Sequence, residues 1–211
     1  MSPSPQDLVH VWEAPRHGTQ TLLLLHGRGG NEHDLVPVAH VIAPGAGVLA
    51  PRGPEAQPPA GFAWFAHRAI GVPVPEAFDA RLAEVAAWLD ATATEFGITT
   101  PITALGFSNG GMMAGALVAA RPDLVDSAIL VASGYALPGD ITALGGLRGR
   151  RILVCGGDED PFHTLEMMRA GVDSYRAAGA EVDARVFPGV GHTITREEAL
   201  DAAAWLAAAN V

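Results

Sequence analysis

The sequence predicts an α/β fold: a mostly parallel central sheet with helices on both faces. Short apolar runs such as Thr21–Leu25 and Ile102–Phe107 alternate with longer stretches of helical periodicity, as in residues 76–96. A run with no polar interruption suits a strand buried on both faces, the usual state of a strand in a parallel sheet. Alternation of strands with helices is what crossover connections between parallel strands require. The length, 211 residues, fits one sizeable core better than two, so residues 1–211 are read as a single domain.

The elements follow in order. Residues 9–13 are expected to add an antiparallel edge strand. Thr21–Leu25 is the first buried strand and ends at His26-Gly27. A short helix over 35–43 precedes a strand over 47–50. Residues 76–96 form the clearest helix, with Phe78, Leu82, Val85, Leu89 and Phe96 on one face and Gly97 closing it. Ile102–Phe107 is a strand, and 110–120 a helix stopped before Pro122. Strands over 127–132 and 151–155 come next, then a helix over 165–178 ending at Gly179, and a strand over 182–187. Thr195 and Glu198 make a capping box that opens a last helix, reaching about Ala209. The stretch 50–75 is dense in proline and glycine and is expected to lack regular structure.

Hydrophobic residues make up 49% and charged residues 17%, the balance of a globular chain. A net charge of −10 opposes nucleic acid and anionic membranes, and neither is expected as a partner. A single cysteine, Cys155, allows no internal disulfide. The first residues carry acids and prolines instead of a basic start and an apolar run, so no signal peptide is read there. No apolar stretch reaches the roughly 20 residues of a membrane helix. A soluble cytoplasmic protein is the expectation.

Gly106-Phe107-Ser108-Asn109-Gly110 has the pattern G-x-S-x-G. An apolar strand runs into it and an Ala/Met-rich helix runs out, which is the setting of the nucleophile elbow in α/β-hydrolase folds. Serine is a weak nucleophile until a base takes its proton. The histidines are 10, 17, 26, 33, 40, 67, 163 and 192. In this fold the acid and then the histidine follow the serine in the chain, which leaves His163 and His192. His192 lies in Gly189-Val190-Gly191-His192-Thr193, on the loop between the last strand and the last helix, where such sheets place their sites. His163 reads as a neighbour, not the base. The acid is expected on the loop Gly156-Gly157-Asp158-Glu159-Asp160-Pro161, whose spacing does not choose among its three carboxylates. His26-Gly27-Arg28-Gly29-Gly30 follows the first buried strand, so the backbone N–H groups of Arg28 and Asn109 are the expected oxyanion hole. Neither a G-x-G-x-x-G nor a P-loop lysine is present to make the glycine-rich loop a nucleotide site. Cys155 and Met112, Met113, Met167 and Met168 read as core. His26, His33 and His40 recur every seven residues, but the run crosses a loop and no metal is expected.

Together these pieces resemble the phospholipase/carboxylesterase family, the acyl-protein-thioesterase-like α/β-hydrolases. The similarity covers the chain from about Thr21 onward. It rests on Leu25-His26-Gly27-Arg28-Gly29-Gly30-Asn31, Ala50-Pro51-Arg52-Gly53-Pro54, Trp64-Phe65, the serine motif through Gly111, Ser133-Gly134, Gly157-Asp158-Glu159-Asp160-Pro161 and Gly191-His192. The family's Asp-Pro at the acid position implies Asp160. The resemblance also implies a fold without a large lid and hydrolysis of carboxylic esters or thioesters. Two departures bear on the substrate. Asn109 stands where the family often has Gln, and Phe162, His163 and Thr164 replace the apolar residues that usually follow Asp-Pro.

The expectation is therefore a serine carboxylesterase acting on small to medium soluble esters or thioesters with Ser108, Asp160 and His192, needing neither cofactor nor metal. Phe62, Trp64 and Phe65, an apolar cluster on the loop 50–75, are read as a substrate wall, with His163 near the pocket. The alternatives are a catalytically silent receptor on the same fold, a peptidase, or a thioesterase with a dedicated acyl carrier.

Overall fold

In the computed structural model, which describes residues 8–17, 20–69, 72–133 and 146–208, strands and helices alternate along the chain. The first part runs β1 (His10–Glu13), β2 (Thr21–Leu25), α1 (Val36–Ile42) and β3 (Gly47–Pro51). Four very short strands follow: β4 (Glu55–Ala56), β5 (Phe62–Ala63), β6 (His67–Ala69) and β7 (Val72–Pro73). Then come α2 (Pro75–Glu95), β8 (Ile102–Phe107), α3 (Asn109–Ala120) and β9 (Ser127–Val131). The last part is β10 (Arg151–Gly157), α4 (Leu165–Ala177), β11 (Glu181–Phe187) and α5 (Arg196–Ala207).

Among the described residues the main sheet has seven strands in the order β1-β3-β2-β8-β9-β10-β11. Every pairing is parallel except β1 with β3, the antiparallel edge expected from residues 9–13. Successive side chains of a strand point to opposite faces, so β2 feeds two cores. Leu23 and Leu25 join the cluster under α2, α3 and α4; Leu22 and Leu24 join the one under α1 and α5. All four leucines are buried, and each contributes about 1.5–3 kcal/mol relative to exposure.

The helices form for the reasons the sequence carries. α2 starts with Pro75 in its first turn, where no amide partner is lost, and stops before Gly97, which adopts φ +63°. Phe78, Leu82, Val85 and Leu89 are buried on its inner face, and Phe96 stacks on Trp12 with ring centres 5.0 Å apart. α3 is small-residue-rich and buried from Asn109 to Ala119, because it lies between the sheet and α2. The Thr195–Glu198 capping box opens α5.

The differences from the sequence reading are local. Element ends move by one or two residues, and β10 runs on to Gly157 because Gly156 and Gly157 stay in register with Val186 and Phe187 of β11. α5 ends at Ala207, and position 209 lies outside the described residues. The stretch 50–75 does hold regular structure: β4 pairs with β5 and β6 with β7, both antiparallel. Proline is compatible with such two-stranded ladders, since each strand has a free edge that needs no donor. No helix among the described residues is long and apolar enough to cross a membrane.

Candidate active site

Ser108 sits between β8 and α3 with φ 52° and ψ −117°, a conformation that costs a non-glycine residue about 1–3 kcal/mol. The surroundings hold it there. Its N–H donates to Val131 O at 3.0 Å, and its carbonyl accepts from Gly111 N at 3.0 Å, Met112 N at 3.2 Å and Ser133 Oγ at 2.6 Å. The flanking glycines are required by close approach. A Cβ on Gly106 would lie 2.5 Å from Gly110 O, and one on Gly110 would fall on the Leu25 and His26 carbonyls.

His192 Nε2 lies 2.9 Å from Ser108 Oγ, and His192 Nδ1 lies 2.7 Å from Asp160 Oδ2. Asp160 is buried, which pushes its carboxyl pKa up. The hydrogen bonds from His192 and from the His163 and Phe162 amides outweigh that and hold the carboxyl below its ordinary range. Those amides donate to Oδ1 at 2.9 and 2.8 Å. An ionised carboxylate only accepts. His192 Nδ1 therefore carries the proton and donates, leaving the Nε2 lone pair for the Ser108 hydroxyl. Of the three acids on this loop only Asp160 meets the histidine. Asp158 accepts from Gly189 N at 2.7 Å and ties two loops together, and Glu159 is exposed. The imidazole packs between Phe107 and the edge-on Phe162, at 5.0 and 5.2 Å between centres.

The amides of Arg28 and Asn109 donate to no acceptor among the described residues. The loop carrying Arg28 is fixed from both sides. Gly29 N donates to Phe62 O and Phe62 N to Gly30 O, each at 2.8 Å. His26 supports the loop from below. The Gly53 amide can only donate, and it meets His26 Nε2 at 2.9 Å, so Nδ1 bears the proton and donates to Gly27 O at 2.7 Å. Burial pulls the His26 pKa down and keeps this neutral form. Beside it, Arg52 donates to both oxygens of the buried Glu32 at 2.6 and 2.5 Å and covers the Phe62 ring at 4.6 Å. The Asn109 side chain accepts from Trp64 N at 2.8 Å and lies 3.3 Å from His67 Nε2.

The aromatic cluster of the 50–75 stretch faces the core and not an open wall. Trp64 is 0% and Phe65 1% exposed. Trp64 Nε1 donates to His26 O at 2.9 Å, and Phe65 packs edge-on against Phe78. Only Phe62 is partly exposed, beneath Arg52. His163 is buried too, with its pKa pulled down to about 4 by burial. The open space lies elsewhere. A groove of about 390 Å³ is lined by Arg28 and Asp34 and by the apolar Leu35, Val38, Phe107 and Ile194, beside His192. The sequence reading did not single out Leu35, Val38, Phe107 and Ile194 as lining residues. Their places just after the glycine loop, before Ser108 and after His192 were the available signal. The spaced histidines have separate surroundings: His26 is internal, His33 lies beside Glu32 and His40 bonds Glu13. Among the described residues no three His, Cys, Asp or Glu side chains cluster as metal ligands. Cys155 is fully buried, and burial pushes its thiol pKa upward. Gly134 of the Ser133-Gly134 pair lies outside the described residues.

A family model described as Phospholipase/Carboxylesterase matches residues 7–210. The chain belongs to this family. The phospholipase/carboxylesterase resemblance seen in the motifs therefore holds over nearly the whole chain. The relative MhqD of Bacillus subtilis (strain 168), named as a hydrolase, is 31% identical over 202 residues, covering 94% of this chain and 97% of that protein. Solved structures agree. The carboxylesterase of Bacillus cereus superposes with a TM-score of 0.85 at 28% identity, over 94% of this chain and 93% of the other. A carboxylesterase from Mesorhizobium loti gives 0.81 at 32% identity, over 90% of each. These matches make the fold that of the α/β-hydrolase carboxylesterases.

Proposed function

We propose that this chain is a serine carboxylesterase that hydrolyses small to medium soluble carboxylic esters or thioesters through an acyl-enzyme. The observation that carries the reading is the unbroken hydrogen-bonded line from Ser108 Oγ through His192 to Asp160. Ser108 attacks the carbonyl carbon while His192 Nε2 takes its proton. Asp160 holds the imidazole in the Nδ1–H tautomer and stabilises the imidazolium. The Arg28 and Asn109 amides receive the developing oxyanion; a single donor of this kind is worth about 10²–10³ in kcat. His192 then gives its proton to the leaving alcohol or thiol, and water repeats the sequence on the acyl-enzyme.

The groove beside His192 supports the substrate class. Leu35, Val38, Phe107 and Ile194 offer apolar surface to an acyl chain or leaving group. One methylene in such a site changes binding by about 1–3 kcal/mol, so selectivity is broad. The net charge of −10 favours dispersed esters over anionic lipid surfaces. A silent receptor on the same fold has no use for the strained serine, the oriented base and the buried acid together. The carboxylesterase names of the relatives at 28% and 32% identity support the same reading. The test is a panel of p-nitrophenyl esters and matched thioesters from acetyl to octanoyl. Turnover is expected, falling roughly 10⁴-fold or more in Ser108→Ala. No turnover across the panel, or a folded Ser108→Ala that keeps more than about a tenth of the activity, overturns it.

A further inference from the structure

We propose that His67 is a positioning residue for the oxyanion hole: by accepting a hydrogen bond at Nε2 it anchors the Asn109 side chain and so fixes the amide that follows the nucleophile. The kinetic part of this proposal rests on the esterase reading above.

The Asn109 side chain is oriented by a donor that cannot be reversed. The Trp64 backbone amide only donates, so the Asn109 atom 2.8 Å from it is Oδ1. The other terminal atom of Asn109 is then Nδ2, which also only donates. His67 Nε2, 3.3 Å away, has to supply the lone pair, and its ring carries its proton on Nδ1. A single backbone N–H thus sets the amide orientation and, through it, a histidine tautomer. Asn109 is 3% exposed, and its two bonds join the backbone at Trp64 and the ladder strand β6 to the first residue of α3. With both in place the residue after Ser108 cannot turn about its own axis, and its N–H direction is set before substrate arrives. Preorganisation of this kind gives an oxyanion donor its value.

The surroundings hold His67 in the accepting form. Burial lowers its pKa first, and the Arg28 guanidinium, on the loop after β2, lowers it further. From its own segment it meets the Phe65 ring at 4.8 Å, and its partner across the ladder is Pro73, which has no charge. From α3 it meets the neutral Asn109 amide. A protonated His67 would set an N–H against the Asn109 N–H and a second cation beside Arg28. Chain order removes His67 from any role in the Ser–acid–His line, since it precedes Ser108. Its effect is confined to the hole, apart from the base.

The experiment combines NMR of the resting enzyme with kinetics of two variants on p-nitrophenyl butyrate at pH 7.5. A long-range ¹H–¹⁵N spectrum at pH 7.5 is expected to show His67 protonated at Nδ1 and bare at Nε2. His67→Leu is expected to lower kcat about tenfold with KM changed less than about twofold, the pattern of an interaction made in the transition state. His67→Gln, whose Oε1 can accept from Asn109, is expected to recover kcat to within about threefold of the wild type. An Nε2–H tautomer at pH 7.5 overturns the proposal, as does equal impairment of the Leu and Gln variants, or full activity of His67→Leu. Ester turnover that survives in Ser108→Ala sinks the esterase reading instead, and the tautomer then still decides the hydrogen bond.

Discussion

His192 Nε2 stands 2.9 Å from Ser108 Oγ although 84 positions separate the two residues in the chain. The approach is made by the sheet. Ser108 follows β8, Asp160 follows β10 and His192 follows β11, so all three leave the carboxyl ends of parallel strands in one sheet. Loops at that edge converge, which is why open α/β sheets place their sites there. The position of Asp160 yields the first prediction.

Asp160→Asn is expected to lower kcat by roughly 10⁴-fold, the scale on which an amide in place of a triad acid misorients the imidazole. Asp158→Asn is expected to retain most activity and to change stability by less than about 1 kcal/mol, since the Asn Oδ1 still accepts from Gly189 N. Steady-state kinetics and denaturant unfolding of both variants check this. Equal kinetic losses, or a larger one at Asp158, would contradict the geometry.

Trp64 supports the site from within the core. Trp64→Phe removes the donor to the His26 carbonyl and is expected to cost about 1–3 kcal/mol; Trp64→Ala is expected to cost about 3–5 kcal/mol. The indole is 0% exposed, so KM for acetate and hexanoate esters should move together. Selective loss of affinity for the longer chain would return the side chain to the substrate wall.

Two kinds of group set the acid response of stability, and they act over different pH ranges. The hydrogen bond from Arg52 pulls the Glu32 pKa from 4.5 to about 2. That pair contributes stability above pH 4.5 and loses it as pH falls towards 2. Burial lowers the pKa of His26, His67 and His163, the last from 6.5 to about 4. There the unfolded chain takes up protons that the folded chain refuses, so stability falls as pH drops from 6.5 towards 4. In urea unfolding, Glu32→Gln should be less stable than wild type by about 1–3 kcal/mol at pH 7, with the gap narrowing below pH 4.5. His163→Leu should flatten the decline between pH 6.5 and 4. A gap that stays constant to pH 3 would contradict the ion-pair assignment.

Much of this was legible in the residues. The unbroken apolar runs Thr21–Leu25 and Ile102–Phe107 suited strands buried on both faces, and the turn between Phe107 and Asn109 was marked by its glycines. The acid was not legible from spacing, because Asp158, Glu159 and Asp160 share one turn; the family's Asp-Pro pointed to Asp160, and the fold aims that side chain alone at His192. The facing of Trp64 and Phe65 was not legible for a different reason. A loop rich in proline and glycine says that aromatics need cover, and says nothing of which side provides it. The roles of His26 and His67 were hidden because a tautomer depends on backbone donors, Gly53 N and Trp64 N, that only the folded chain brings near.

Ser108 is expected to be the acylated nucleophile, and covalent labelling reads this out without a choice of substrate. The protein is incubated with a fluorophosphonate probe, digested, and the adduct mapped by mass spectrometry. One adduct per chain is expected, on Ser108, absent in Ser108→Ala and much slower to form in Asp160→Asn. An unlabelled wild type, or a label on another residue that persists in Ser108→Ala, would contradict it.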